Sequence, residues 1–133
     1  MRKTTMMIVG LFLSFSLQPS SFAFAAHTHL EKEYQDAWCQ QQEGLTELVL
    51  DDQARVDCVT ASHAVEVDFA GKWAESIGQA LYYGLKTKLP PGVLLILEYE
   101  SDQRYLRRLK AVATEYGITV WTITPADLPK ANP

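Results

Sequence analysis

The sequence predicts an α/β domain, a mixed β-sheet covered by helices. Three short β-type runs follow one another through connections too brief for a crossover, so they pair as an antiparallel meander. Two helical stretches then separate two further apolar runs, so the chain returns for parallel pairing by right-handed crossovers. The order is α-β-β-β-α-β-α-β, with no internal repeat, low-complexity tract or linker to divide it.

The elements follow in turn. His29 to Gln42 reads as a helix, with Leu30, Tyr34, Ala37 and Trp38 at core-face spacing, and Gly44 ends it. Thr46 to Leu50 is a strand, and Asp51-Asp52-Gln53-Ala54 a turn. Arg55 to Thr60 and Ala64 to Phe69 are two more strands, rich in β-branched residues and joined by a polar hairpin. Lys72 to Lys86 is the second helix, stopped by Leu89-Pro90-Pro91-Gly92. Val93 to Tyr99 is a nearly unbroken apolar run, as a buried strand requires. Asp102 is placed to cap a third helix that runs to Tyr116 and stops at Gly117. Ile118 to Ile123 is the last strand, and the tail from Pro125 is expected to fray.

Residues 1–25 read as an export signal. Arg2 and Lys3 form a positive start, Met6 to Leu17 a mainly apolar stretch, and Ala23-Phe24-Ala25 a signal-peptidase site. The apolar run is too short and too interrupted for a comfortable membrane span. Cleavage after Ala25 would leave a single domain, 26–133, periplasmic or secreted and without stable membrane association. An uncleaved N-terminal anchor is the alternative. Of 12 basic and 16 acidic residues the leader takes two basic ones, so 10 against 16 gives a net charge of −6. Such a chain does not attract nucleic acid by its overall field, and polyanion binding would need a local basic patch or bound metal. The two cysteines, Cys39 and Cys58, form either a disulfide or two buried thiols. There is no CxxC for thiol-disulfide catalysis.

The residues suited to chemistry lie on the hairpin and the helix after it. A two-residue loop at Ser62-His63 sets Ala61 opposite Ala64 and Asp57 opposite Asp68. Glu66 then shares their face, while Val65, Val67 and Phe69 turn toward a core. Three crowded carboxylates repel one another and call for a cation; the competing reading is an exposed polar sheet face. On the second helix Lys72, Glu75, Gln79, Tyr83 and Lys86 share a stripe roughly 80° wide. Arg104, Arg107 and Arg108 share a face of the third helix, as a phosphate contact or as a solvated surface. His27 and His29 sit at the new N-terminus, where a loose end is expected, and Trp38, Trp73 and Trp121 suit a core. No Gly-rich phosphate loop, serine-hydrolase elbow or zinc motif occurs.

On these residues the chain resembles the PD-(D/E)XK, or restriction-endonuclease-like, nuclease superfamily. The resemblance implies an αβββαβ core over His29 to Tyr99, extended by the C-terminal helix and strand. Asp57 is similar to the first metal-binding acid and Glu66 to the acid of the E-x-K element. Gln79-Ala80-Leu81-Tyr82-Tyr83 looks like the Q-x-x-x-Y element of RecB-type members. The family's lysine position holds Asp68, which supplies no positive charge, and Lys72 would replace it from the helix. The resemblance implies Mg²⁺ or Mn²⁺ held by Asp57 and Glu66, with the Val67 carbonyl and Asp68. It also implies nucleic acid as the substrate, Gln79 and Tyr83 as positioning groups, and grip from Arg104, Arg107 and Arg108. The alternative is a periplasmic binding or interaction module that keeps the fold without turnover.

Overall fold

A computed structural model describes residues 26–130; the export-signal reading of residues 1–25 therefore lies outside the described residues. The elements are α1 (Glu31–Gln41), β1 (Leu45–Val49), β2 (Arg55–Val59), β3 (Ala64–Phe69), α2 (Trp73–Thr87), β4 (Pro91–Ile96), α3 (Gln103–Tyr116) and β5 (Thr119–Ile123). The five strands stand in the order β1-β2-β3-β4-β5. β1, β2 and β3 pair antiparallel, while β3-β4 and β4-β5 are parallel, each parallel link spanned by a helix. The fold is thus the mixed α/β sheet that the element order predicts.

Alternation along the strands gives the sheet two buried faces. Cys58, Val65, Val67, Leu94, Ile96 and Ile123 meet Tyr34, Trp38 and Cys39 of α1. Val93, Leu95 and Leu97 meet Ala80 of α2 and Leu106, Leu109 and Ala113 of α3. Trp38 and Trp121 pack together at 5.2 Å, and Trp73 lies against the second core, so the tryptophans are packing residues. The helix stops have local causes. Lys88 takes a left-handed conformation (φ 60) after α2, ahead of Pro90-Pro91. Gly117 does the same (φ 66) after α3, its N–H returning to the Ala113 carbonyl.

Several local expectations are corrected. Leu30 is 73% exposed rather than in the core. It precedes the first turn of α1, where its N–H donates to Glu33 Oε2 at 2.7 Å. The buried stripe is Tyr34, Gln35, Trp38 and Cys39. β4 stops at Ile96 rather than Tyr99, because the Glu98 and Tyr99 N–H groups turn to Asp102 Oδ2, both at 3.0 Å. Asp102 therefore secures the chain behind it and makes no forward cap to α3. The tail is fastened as far as Leu128: Thr124 and Asp127 bond each other, and Leu128 packs on the first core. The start is fastened too. Glu98, its side chain 2% exposed, accepts hydrogen bonds from Thr28 Oγ1 (2.7 Å), Thr28 N–H (3.0 Å) and Tyr34 OH (2.7 Å). His27 pairs with Glu98 at 2.8 Å and stacks on Phe69 at 3.5 Å, so this end is not loose.

Two features fix β2. A disulfide joins Cys39 of α1 to Cys58, with both residues fully buried. A Cβ at Gly44 would stand 2.7 Å from Cys58 Sγ and 2.8 Å from Cys39 Sγ, so the bridge lies directly on that glycine's backbone. On the other side, β1 pairs with β2 at Leu45, Thr46, Leu48 and Val49. Glu47 between them has φ 57, a left-handed conformation that a non-glycine residue rarely adopts.

Candidate functional site

The hairpin register differs from the predicted one by two residues. Cys58 pairs with Val65 and Val59 with Ala64, and Thr60 N–H closes the turn on the His63 carbonyl at 2.9 Å. The loop is therefore Ala61-Ser62. Thr60 Oγ1 sets it by accepting the N–H groups of Ser62 (3.3 Å) and His63 (3.0 Å), a hydroxyl-stabilised turn. The His63 ring is held by Thr119 Oγ1 at 3.0 Å and lies edge-on to Trp121. Continued along the strands, this register sets Asp57 opposite Glu66 rather than Asp68. A shift of two preserves parity, so all three acids stay in one region.

Pairing does not continue in ordinary form beyond Cys58 and Val65. Instead the Asp57 side chain enters the ladder, its Oδ2 accepting the Val67 N–H at 2.8 Å. The carboxyl groups of Asp57 and Glu66 are close enough for each to bear on the other's proton. Glu66 is 4% exposed and Asp68 2%, so the competing reading of an exposed polar sheet face does not hold for these two acids. Burial, then the Asp57 charge, push the Glu66 carboxyl up to about 10. Burial also raises Asp57, against the pull of the Val67 N–H. Asp68 is pushed up to about 7 by burial, with the Lys72 ammonium acting the other way.

Two buried carboxylate oxygens, Glu66 Oε2 and Asp68 Oδ1, accept no hydrogen bond. Lys72 Nζ stands 3.3 Å from Asp68 Oδ1, an ion pair without hydrogen-bond direction. Lys72 is itself raised by Asp68 first, with Glu31 and Glu75 beside it. Its ammonium thus answers Asp68 and not the Asp57–Glu66 pair. Tyr83 comes from α2 to that pair: its hydroxyl donates to Gln79 Oε1 at 3.3 Å, and burial, then Glu66 and Asp57, hold it protonated far above its ordinary range. Among the described residues, no three His, Cys, Asp or Glu side chains are grouped so as to hold a metal ion by themselves.

Arg104, Arg107 and Arg108 are exposed, while Leu106, Leu109 and Ala113 fill the buried side of α3. The Arg104 and Arg108 guanidinium groups flank the Tyr105 ring at 4.6 and 5.9 Å. Arg104 and Tyr105 line a crevice with Ala70 and Gly71, the residues leading into Lys72, so the basic face adjoins the Asp68–Lys72 end of the site.

Two residues at the site, Glu31 and Gln35, were not singled out from the sequence. Glu31 adds negative charge beside Asp57, Glu66 and Asp68. Buried Gln35 donates from Nε2 to Glu47 Oε1 at 2.7 Å and to the Asp57 carbonyl at 2.9 Å. Its signal is spacing, four residues before Cys39 on one side of α1. Comparison with protein-family models, curated proteins and solved structures finds no match, so the resemblance to nucleases rests on the motifs alone.

Proposed function

We propose that this protein is an exported, metal-dependent nuclease-like hydrolase of phosphodiester bonds, with Asp57 and Glu66 as its cation ligands. One observation carries the proposal: Glu66 is buried beside Asp57 with a carboxylate oxygen that nothing among the described residues satisfies. An orphaned buried acceptor needs a partner, and a hard divalent cation is a fitting one. Mg²⁺ is commonly held by only one or two carboxylates and otherwise keeps its waters, so the small donor set suits Mg²⁺ or Mn²⁺.

Asp57 and Glu66 would hold the ion, with the Val67 carbonyl and Asp68 as neighbouring oxygens. Such an ion supplies a polarised phosphate and a bound water of lowered pKa. The chain's own groups do the rest. With such an ion held there, Asp57 and Glu66 would both be favoured as anionic carboxylates. Lys72 sets one positive charge at the rim, Gln79 and Tyr83 orient a phosphate oxygen, and Arg104, Arg107 and Arg108 offer the local patch that an acidic protein needs to hold a polyanion. Export rests on Arg2, Lys3, the apolar run and Ala23-Phe24-Ala25.

A second reading is favoured by a specific observation. Lys72 is engaged by Asp68, which leaves no lysine free at the Asp57–Glu66 pair among the described residues. On that reading the protein is a periplasmic binding or interaction module without turnover. The deciding experiment offers single- and double-stranded nucleic acid to the purified protein with Mg²⁺ or Mn²⁺, beside Asp57→Ala and Glu66→Ala. Cleavage by the wild type alone is expected. A metal-dependent rise in melting temperature without cleavage would leave the binding module. Neither cleavage nor a rise would remove the metal-dependent hydrolase and leave the binding module ahead.

A further inference from the structure

We propose that the Cys39–Cys58 bridge, together with Gln35, gates the Asp57–Glu66 site, so that the site is assembled only in the oxidised chain. The inference rests on reading that carboxyl pair as the functional centre.

The argument starts from where α1 holds β2. Gln35 and Cys39 lie four residues apart, one helical turn, and therefore project toward the same strand. Gln35 Nε2 holds the Asp57 carbonyl at 2.9 Å, and Cys39 is bonded to Cys58, the next residue. Two consecutive residues of β2 are thus fixed to one face of α1, and the first of them is the site acid. Asp57 in turn holds β3 through the Val67 N–H, adjacent to Glu66. Both α1 attachments are buried, with Gln35 4% exposed and the cysteines at 0%, so nothing in solvent substitutes for them. The turn into β1 is built around the same bridge: Gly44 donates to the Cys39 carbonyl at 2.9 Å and has no room for a Cβ beside either sulfur.

The chemistry is thiol-disulfide exchange. A dithiol reductant gives two electrons and two protons to the bridge, both sulfurs become thiols, and the reductant closes to its own disulfide. In the reverse direction a disulfide-bearing oxidant takes those electrons and protons as the bridge forms. Without the bridge the covalent tie of β2 to α1 is gone, and Gln35 and the packing of Cys58 against Tyr34 and Trp38 remain. Asp57 then loses its fixed place against Glu66, and water reaches the pair. A phosphodiesterase assembled this way would stay idle in a reducing compartment that contains the cell's own nucleic acid.

The test compares oxidised protein with the same protein after dithiothreitol treatment. It reads hydrogen exchange of the Val67 amide, which Asp57 Oδ2 holds at 2.8 Å, by NMR, and Mn²⁺ affinity by electron paramagnetic resonance, with far-UV circular dichroism as the check on folding. Reduction is expected to speed Val67 exchange by about tenfold or more as Asp57 is released, and to weaken Mn²⁺ binding by about tenfold or more. Gln35→Met, which keeps the bridge and removes both donated hydrogen bonds, should move both readouts in the same direction while oxidised. Identical exchange and affinity in the two redox states would overturn the gating. Faster exchange on reduction with no Mn²⁺ binding in either state would uphold the gating and dismiss the cation. If reduction unfolds the chain, oxidised Gln35→Met decides: unmoved Val67 exchange there refutes the proposal.

Discussion

Replacing Glu66 by glutamine keeps the shape of the side chain and removes the charge that its surroundings resist. In the folded protein Glu66 holds its proton up to about pH 10, whereas an ordinary glutamate releases it at 4.5. Between those values the folded state carries one more proton than the unfolded state, so stability falls as pH rises. The benefit of the neutral carboxyl is complete below 4.5 and is lost progressively on the way to 10. One pH unit corresponds to at most about 1.36 kcal/mol, so the loss reaches about 3 kcal/mol by pH 7. Asp68, pushed up to about 7, and Asp57, also raised, add slopes of the same sign. Glu66→Gln should therefore be more stable than the wild type by about 1–3 kcal/mol near pH 7, and its stability should depend less on pH. Equilibrium urea unfolding followed by far-UV circular dichroism, from about pH 5.5 to 8.5 without divalent ions, measures both. Wild-type stability that is flat or rising across that range would refute the reasoning, as would an equally steep fall in Glu66→Gln.

Two further outcomes follow from other contacts. Burial works against ionised Glu98, yet hydrogen bonds from Tyr34, Thr28 and His27 hold its carboxyl down to about 2. Its stabilisation is present above 4.5 and is lost as pH falls toward 2, so Glu98→Gln should flatten the acid limb of unfolding, by up to about 3 kcal/mol, in a tryptophan-fluorescence acid titration. Gly44→Ala forces a Cβ against both bridge sulfurs, and should cost about 1–3 kcal/mol in thermal melts of the oxidised protein. The cost should shrink in Cys39→Ser/Cys58→Ser, where the smaller hydroxyls no longer hold sulfur against the backbone.

Much of the fold was legible because hydrophobic period and turn residues act locally. Ala64–Phe69 appears with the predicted bounds, and the other elements lie within a few residues of theirs. The register was not legible, because it depends on Thr60 choosing to hold the turn through its hydroxyl, a choice with no hydrophobic signature. The acids still gather, since an error of two leaves every side chain on its own face. Burial was left open for a related reason: alternation identifies the Glu66–Asp68 face as polar, and only the packing of α2 over it, with Tyr83 reaching down, shows that it is enclosed. Lys72 illustrates the limit of a helical stripe, which places a side chain on a face but does not choose between neighbouring acids; Asp68, four residues back, takes it. Gln35 carried only its spacing from Cys39 as a signal, which is easily passed over because glutamine on a helix ordinarily faces water.

Glu47 has a consequence beyond the site. β1 is an outer strand with Leu45 and Val49 exposed, and an apolar strand with free amides invites another chain to add to it and grow a fibre. The left-handed twist at Glu47 interrupts that row midway, and Gln35 clamps the interruption by its carboxylate. One buried amide thus braces the break in the border strand while it steadies the aspartate within.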